Sequence, residues 1–163
     1  MFSFPNPVNE KAARTVAAGV AILTAITLVA GAWWMSAVLA VGFGLRVLWG
    51  PRFSPLGRLA TEVIAPRLGP PVETPGPPKR FAQAIGLTVT TAAAIAWFLF
   101  GSAVATAALL AVLLVFATLE SVFGFCAGCW LFARLMRAGV IPESTCRACA
   151  DIRTRGAADV SRR

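Results

Sequence analysis

The sequence predicts an all-α membrane protein: four transmembrane helices as two parallel-repeated hairpins, with short interfacial amphipathic helices and a cytoplasmic cysteine-containing tail. Three observations predict it. Hydrophobic residues make up 58% of the 163 positions and charged residues 13%, about half the charged share of a typical soluble domain. No ionisable side chain occurs between Thr15 and Leu45, or between Phe81 and Leu119. Each gap is longer than the roughly 20 residues that one span needs, whereas a surface helix shows a polar face every turn or two. Finally, each gap contains a glycine suited to a tight turn, Gly31 and Gly101.

The elements follow in order. Asn6-Pro7-Val8-Asn9-Glu10 reads as a helix start, with Asn6 as cap, Pro7 at the first helical position and Glu10 complementing the positive helix end. The opening residues lack a basic region and a small-residue cleavage site, so no signal peptide is expected. The first apolar run splits at Gly31, beside Trp33 and Trp34, which suit the headgroup level. This gives spans at about 14–31 and 34–50, ended by Pro51. A linker over 51–80 follows. Within it Leu56, Leu59, Ala60, Val63 and Ile64 keep helical spacing, as expected of an interfacial helix. Prolines at 70, 71, 75, 77 and 78 stiffen the rest. The second run splits at Gly101-Ser102, with Trp97 and Phe98 as interfacial anchors, giving spans at about 81–100 and 103–123. The fourth helix is expected to continue as far as Met136. Residues 1–125 thus form the transmembrane domain and 126–163 a cytoplasmic segment.

Orientation comes from charge. The net charge is +8, and the Lys and Arg residues lie in or beside the N-terminus, the 51–80 linker and the tail. The turns at Gly31 and Gly101 carry none. By the positive-inside rule both termini are expected on the cytoplasmic side of the inner (plasma) membrane, with lipid as the surrounding partner. The basic balance points to topology rather than nucleic acid, because no aromatic–basic interleaving or known binding module accompanies it.

A weak internal repeat is legible. Leu45-Arg-Val-Leu-Trp-Gly50 resembles Leu119-Glu-Ser-Val-Phe-Gly124, and Arg58-Leu59 with Val63-Ile64 and Pro66 resembles Arg134-Leu135 with Val140-Ile141 and Pro142. The unit would be a hairpin plus an amphipathic extension, repeated in parallel. Chance likeness between apolar helices is the alternative. In this alignment Arg46 matches Glu120, the one acidic residue inside an expected span. Intramembrane charges are usually paired, so an Arg46–Glu120 ion pair is expected, against the alternative of two separately solvated charges.

Chemistry centres on the cysteines. There is no histidine, which excludes His-based catalysis and mixed Cys/His metal sites. Cys126-Ala-Gly-Cys129 and Cys146-Arg-Ala-Cys149 form two C-x2-C pairs. Thiols at i and i+3 share one face of a helix and can exchange electrons or sulfur. Cys146 looks the more reactive, since Ser144 could cap a helix with Cys146 in its first turn beside Arg147. Cys126 and Cys129 gain less from a helix end unless Gly124 breaks the helix. The same four cysteines fit the spacing of a structural zinc site, the one cofactor alternative. Inert buried thiols are a third reading. A reducing cytoplasm argues against a lasting structural disulfide. Buried polar groups suited to conduction are few, little beyond Thr24, Thr27, Thr88, Thr90 and Thr91, so transport of a small sulfur species is the weakest option.

The stretch Leu119-Glu-Ser-Val-Phe-Gly-Phe-Cys-Ala-Gly-Cys-Trp-Leu-Phe, with its Glu–Gly–Phe–Cys–x–Gly–Cys elements, resembles the bacterial membrane family known as domain of unknown function 4395. The Asn6–Glu10 start and the Arg80-Phe81 approach to the third span are compatible, and the likeness covers most of 5–135. The resemblance implies an association with thioredoxin-like or rhodanese-like sulfurtransferase proteins and a thiol role for Cys126 and Cys129. Cys146 and Cys149 lie beyond the matched part; they are expected either as a resolving pair or as the completion of a zinc ligand set.

Overall fold

Glycine and cap chemistry set the helix ends in a computed structural model that describes residues 6–146. Helix α1 runs Glu10–Ala30. Its cap is Asn9, whose side chain accepts from the Lys11 backbone N–H at 3.0 Å. Gly31 ends it in the left-handed conformation at φ 64°. Helix α2, Met35–Trp49, ends at Gly50 (φ 95°). Helix α4, Gly76–Phe98, and helix α5, Ala103–Phe123, flank the Gly101 turn, and Ser102 caps α5 through the Ala105 N–H. The short α3, Pro55–Arg58, sits in the connection between α2 and α4. Helix α6, Ala127–Arg137, follows a second left-handed break at Gly124.

Three of these helices, α1, α4 and α5, are long and apolar enough to cross a membrane. Helix α2 has 15 residues, or about 22 Å at the α-helical rise, against a hydrocarbon core of about 30 Å. Exposed apolar side chains such as Val29, Val41, Phe100 and Val115 cover the outside. The interior is narrow, built from Val16, Val20, Leu39, Phe43, Leu110 and Leu113. Its hydroxyls are satisfied locally. Thr24, Thr27 and Thr90 donate to carbonyls four residues back, and Thr106 also reaches Ala93 on the neighbouring helix at 3.2 Å.

Packing does not follow the hairpins. Helix α1 lies along α5, and α2 along α4, while α1 and α2 barely touch. Helix α4 also packs on α5 and carries α6. Two short strands, β1 (Val8–Asn9) and β2 (Glu73–Thr74), pair antiparallel just ahead of α1 and α4.

Several expectations need correction. The cap of α1 is Asn9, because β1 (Val8–Asn9) keeps the chain extended up to Glu10; Asn6 instead accepts from the Gly76 N–H at the start of α4 at 3.0 Å. Helix α4 begins ahead of the expected residue 81, since prolines at 77 and 78 fit a first turn. The interfacial stretch is one small α-turn, a π-helical turn (Leu59–Ile64) and 3-10 turns on either side. It packs on α1, with Leu56 filling the gap at Gly19. The fourth helix does not run on to Met136.

The two ends of the bundle differ in kind. At one end Trp33 meets Trp97, with ring centroids 6.5 Å apart. At the other, Arg14 of α1 donates to the Ser121 and Val122 carbonyls that end α5, and Arg80 of α4 donates to the Val47 carbonyl near the end of α2. The expected Arg46–Glu120 pair does not form. Helix α4 lies against both α2 and α5 and supplies each charge with a nearer partner: Lys79 Nζ holds Glu120 Oε1 at 2.7 Å, and Arg46 Nε donates to Gln83 Oε1 at 2.9 Å.

The Lys79 and Glu120 side chains are 10% and 17% exposed, so removing one partner strands a mostly buried charge. Lys79→Met is expected to cost roughly 3 kcal/mol, read by denaturant unfolding in detergent. The double variant Lys79→Met/Glu120→Gln is expected to recover most of it. A double variant no more stable than the single one would show that the two groups are not coupled.

Candidate dithiol site

Cys126 and Cys129 owe their arrangement to three features of the local chain. Gly124 takes φ 68° and its N–H bonds back to Glu120 and Leu119 carbonyls, which terminates α5. Cys126 is then extended (φ −94°, ψ 103°) and becomes the N-cap of α6. Gly128 lies directly on α4: a Cβ there would come 2.5 Å from the Ala82 Cβ and 2.6 Å from its Cα. The glycine between the two cysteines therefore lets α6 seat against α4, helped by the Phe81–Phe132 ring contact at 5.6 Å.

The two thiols are unequal. The Cys126 Sγ accepts the Cys129 backbone N–H at 3.4 Å, in the position a capping oxygen takes at other helix starts. Both are free thiols; Cys126 is buried and Cys129 half-buried. A hydrogen bond from the Cys129 thiol, above all, holds the Cys126 thiol below its ordinary range. Burial and the Glu120 carboxylate oppose this, and Lys79 and the Cys129 N–H assist it. The same bond, followed by burial, pushes the Cys129 thiol up. Cys126 is thus the more acidic of the two thiols, and thiolate character is the property a nucleophilic cysteine needs. Sequence reasoning ranked Cys146 ahead of them because it left the Gly124 break undecided. Cys146 ends a 3-10 turn, Glu143–Cys146, rather than opening a helix. It is buried, and Cys149 lies outside the described residues.

The site continues inward. Glu120 and Cys126 stand at one end of an apolar cavity of about 200 Å³, walled by Val20, Phe43, Leu113 and Phe116 among others. Among the described residues, no three acidic or cysteine side chains gather as metal ligands do. Lys79 and Gly128 are the neighbours of the thiols that the sequence does not single out. Lys79 read as linker charge, and Gly128 was seen only as part of the cysteine motif.

Three outcomes are expected for the thiols. Iodoacetamide labelling of Cys126, followed by mass spectrometry across pH, is expected to show a midpoint below the roughly 8.5 of free cysteine. Cys129→Ala removes the stabilising donor, so the midpoint moves up, with labelling near neutral pH falling about tenfold for each unit. Gly128→Ala is expected to push α6 off Ala82, at about 1–3 kcal/mol, and to move the Cys126 midpoint as well. An unmoved midpoint in both variants would overturn the assignment of Cys126 as the activated thiol.

No curated protein and no solved structure matches the chain. The pattern of the family described as Domain of unknown function (DUF4395) matches residues 8–137, from β1 to the last residue of α6 and across the cysteine pair. That match spans most of the sequence, and the chain belongs to this family.

Proposed function

We propose that this is a four-span inner-membrane protein whose Cys126–Cys129 pair exchanges electrons or sulfur with a soluble thioredoxin-like or rhodanese-like protein in the cytoplasm. The observation that carries the reading is the N-cap role of Cys126, beside a Cys129 donor and Lys79. In the electron-exchange form, the Cys126 thiolate attacks a disulfide sulfur of the partner. A mixed disulfide forms and the partner's second sulfur leaves as thiolate. Cys129 then gives up its proton and attacks the Cys126 sulfur. This closes a Cys126–Cys129 disulfide and releases the partner with two electrons more. The same first attack on the outer sulfur of a partner persulfide would move sulfur instead. Cys146 and Cys149 would serve as a second pair relaying to the first. The exposed Phe125 and Trp130 beside the thiols offer a partner apolar contact.

In this reading α2 is the fourth crossing. Its flanking Trp33, Trp34 and Trp49 suit the two interfaces, and its full-length packing partner α4 is itself long enough to span. The parallel repeat has support of its own. The contact of α1 with α5 mirrors that of α4 with α2, and the extension after α2 packs on α1 as α6 packs on α4. Arg80 donates to the Val47 carbonyl as Arg14 donates to that of Ser121, and these two acceptors hold the same position in the two matching hexapeptides.

Three measurements test the proposal. Cys129→Ala is expected to accumulate a mixed disulfide between Cys126 and an added thioredoxin-like protein, seen on non-reducing gels and absent with Cys126→Ala. A membrane-impermeant thiol reagent on intact cells is expected to leave all four cysteines unlabelled. Stoichiometric zinc in purified protein with four protected thiols would end the exchange reading in favour of a zinc-stapled scaffold.

A further inference from the structure

The charged end of the bundle holds a second cavity, of about 220 Å³, whose lining includes Asn9, Arg46, Arg52, Thr61, Lys79 and Gln83. Among the described residues its charged lining is cationic, Arg46, Arg52 and Lys79, with no carboxylate. Lys79 is committed to Glu120 at 2.7 Å. Arg46 is not matched in this way. It is 3% exposed, and its neighbours are Gln83 Oε1, Ser54 Oγ at 3.2 Å and the Phe43 ring, with its CZ carbon 4.3 Å from the centroid. All three are uncharged, and the remaining guanidinium N–H groups meet no acceptor among the described residues. The Thr61 Oγ1 is also buried without a hydrogen-bond partner. Thr61 sits on the π-helical turn, a distortion often found where a helix is bent to serve a site.

Burying a guanidinium without a counter-charge is costly, and amide, hydroxyl and ring contacts do not neutralise it. Water could fill the space, at about 30 Å³ per molecule, but water would leave the charge in place. An oxyanion supplies both the charge and acceptors for a planar donor fork. We propose that this cavity binds a small tetrahedral oxyanion, a free sulfate- or phosphate-type anion or a lipid headgroup phosphate. Arg46 is the buried anchor, Arg52 the exposed second cation at the mouth, and the Thr61 hydroxyl an added donor. The site does not depend on the thiol chemistry.

The test uses full-length protein purified in detergent and stripped of lipid. Titration with sodium sulfate, phosphate and thiosulfate at constant ionic strength, against chloride, is expected to give saturable heat and a raised melting temperature. Arg46→Gln is expected to weaken binding by about tenfold or more, the loss of a charge-assisted hydrogen bond. Arg52→Gln and Thr61→Val are expected to weaken it less, and they carry the test if Arg46→Gln does not fold. Cys126→Ala should bind as the wild type does. A parallel arm compares nanodiscs of phosphatidylcholine with and without phosphatidylglycerol. Retention of phosphatidylglycerol by wild type but not by the Thr61→Val or Arg52→Gln variants, without binding of free anions, identifies the headgroup as the source. Binding no different from chloride in the first arm, with no lipid preference in the second, overturns the proposal.

Discussion

Helix α4 starts with Lys79 and Gln83 one turn apart, and the charged end of the bundle is organised around that turn. Lys79 reaches sideways to Glu120 on α5, and Gln83 accepts from Arg46 on α2. Charges at this depth need partners, since an unpaired one is costly where solvent is scarce. Each contact fixes the axial position of one helix against α4. The Lys79–Glu120 pair has the wider consequence. It aligns the end of α5 with the start of α4, where Arg14 from α1 holds the last carbonyls and Gly124 turns the chain back. Helix α6 can then lie on α4 with Gly128 against Ala82, and Cys126 comes within the field of Lys79. The pair that sets helix register therefore also sets the electrostatic surroundings of the thiols.

Much of this was legible in the sequence, and the parts that were not have physical reasons. The two charge-free runs and their glycine turns were readable because a membrane helix has to satisfy its backbone internally, which leaves few ways to divide such a run. Trp33 and Trp97 were each readable as interfacial anchors; that they meet was not, because it depends on which helices are neighbours. The same gap undid the Arg46–Glu120 pairing. Equal depth in a repeat says that two residues lie in one layer, whereas partnership requires adjacent helices, and α4 packs against both of theirs. Short caps were harder still. Asn6 and Asn9 have similar local credentials, and the choice between them is made by β1 pairing with β2 from residues far along the chain.

The cysteine pair shows a third kind of limit. Its spacing marked it as a candidate, but its inequality rests on one backbone torsion. With Gly124 left-handed, Cys126 falls outside α6 and its sulfur faces the Cys129 N–H. Had α5 continued, both thiols would have sat within one helix, with no free N–H for either sulfur to accept.

That inequality bears on how the site would work. The largest influence on Cys126 is the Cys129 thiol itself, while Lys79 and Glu120 act on it in opposite directions. The lowering of the Cys126 thiol thus comes mainly from within the pair and only secondarily from the surrounding charge. In the proposed exchange, closing the disulfide removes the thiolate and its donor together, so no unpaired charge is left behind. Lys79 holds Glu120 at 2.7 Å with the thiols reduced, and closing the disulfide would consume neither group. The ion pair that aligns α4 with α5 then has no reason to break as the thiols turn over. A membrane bundle with so narrow an interior could cycle its dithiol without repacking the helices that hold it.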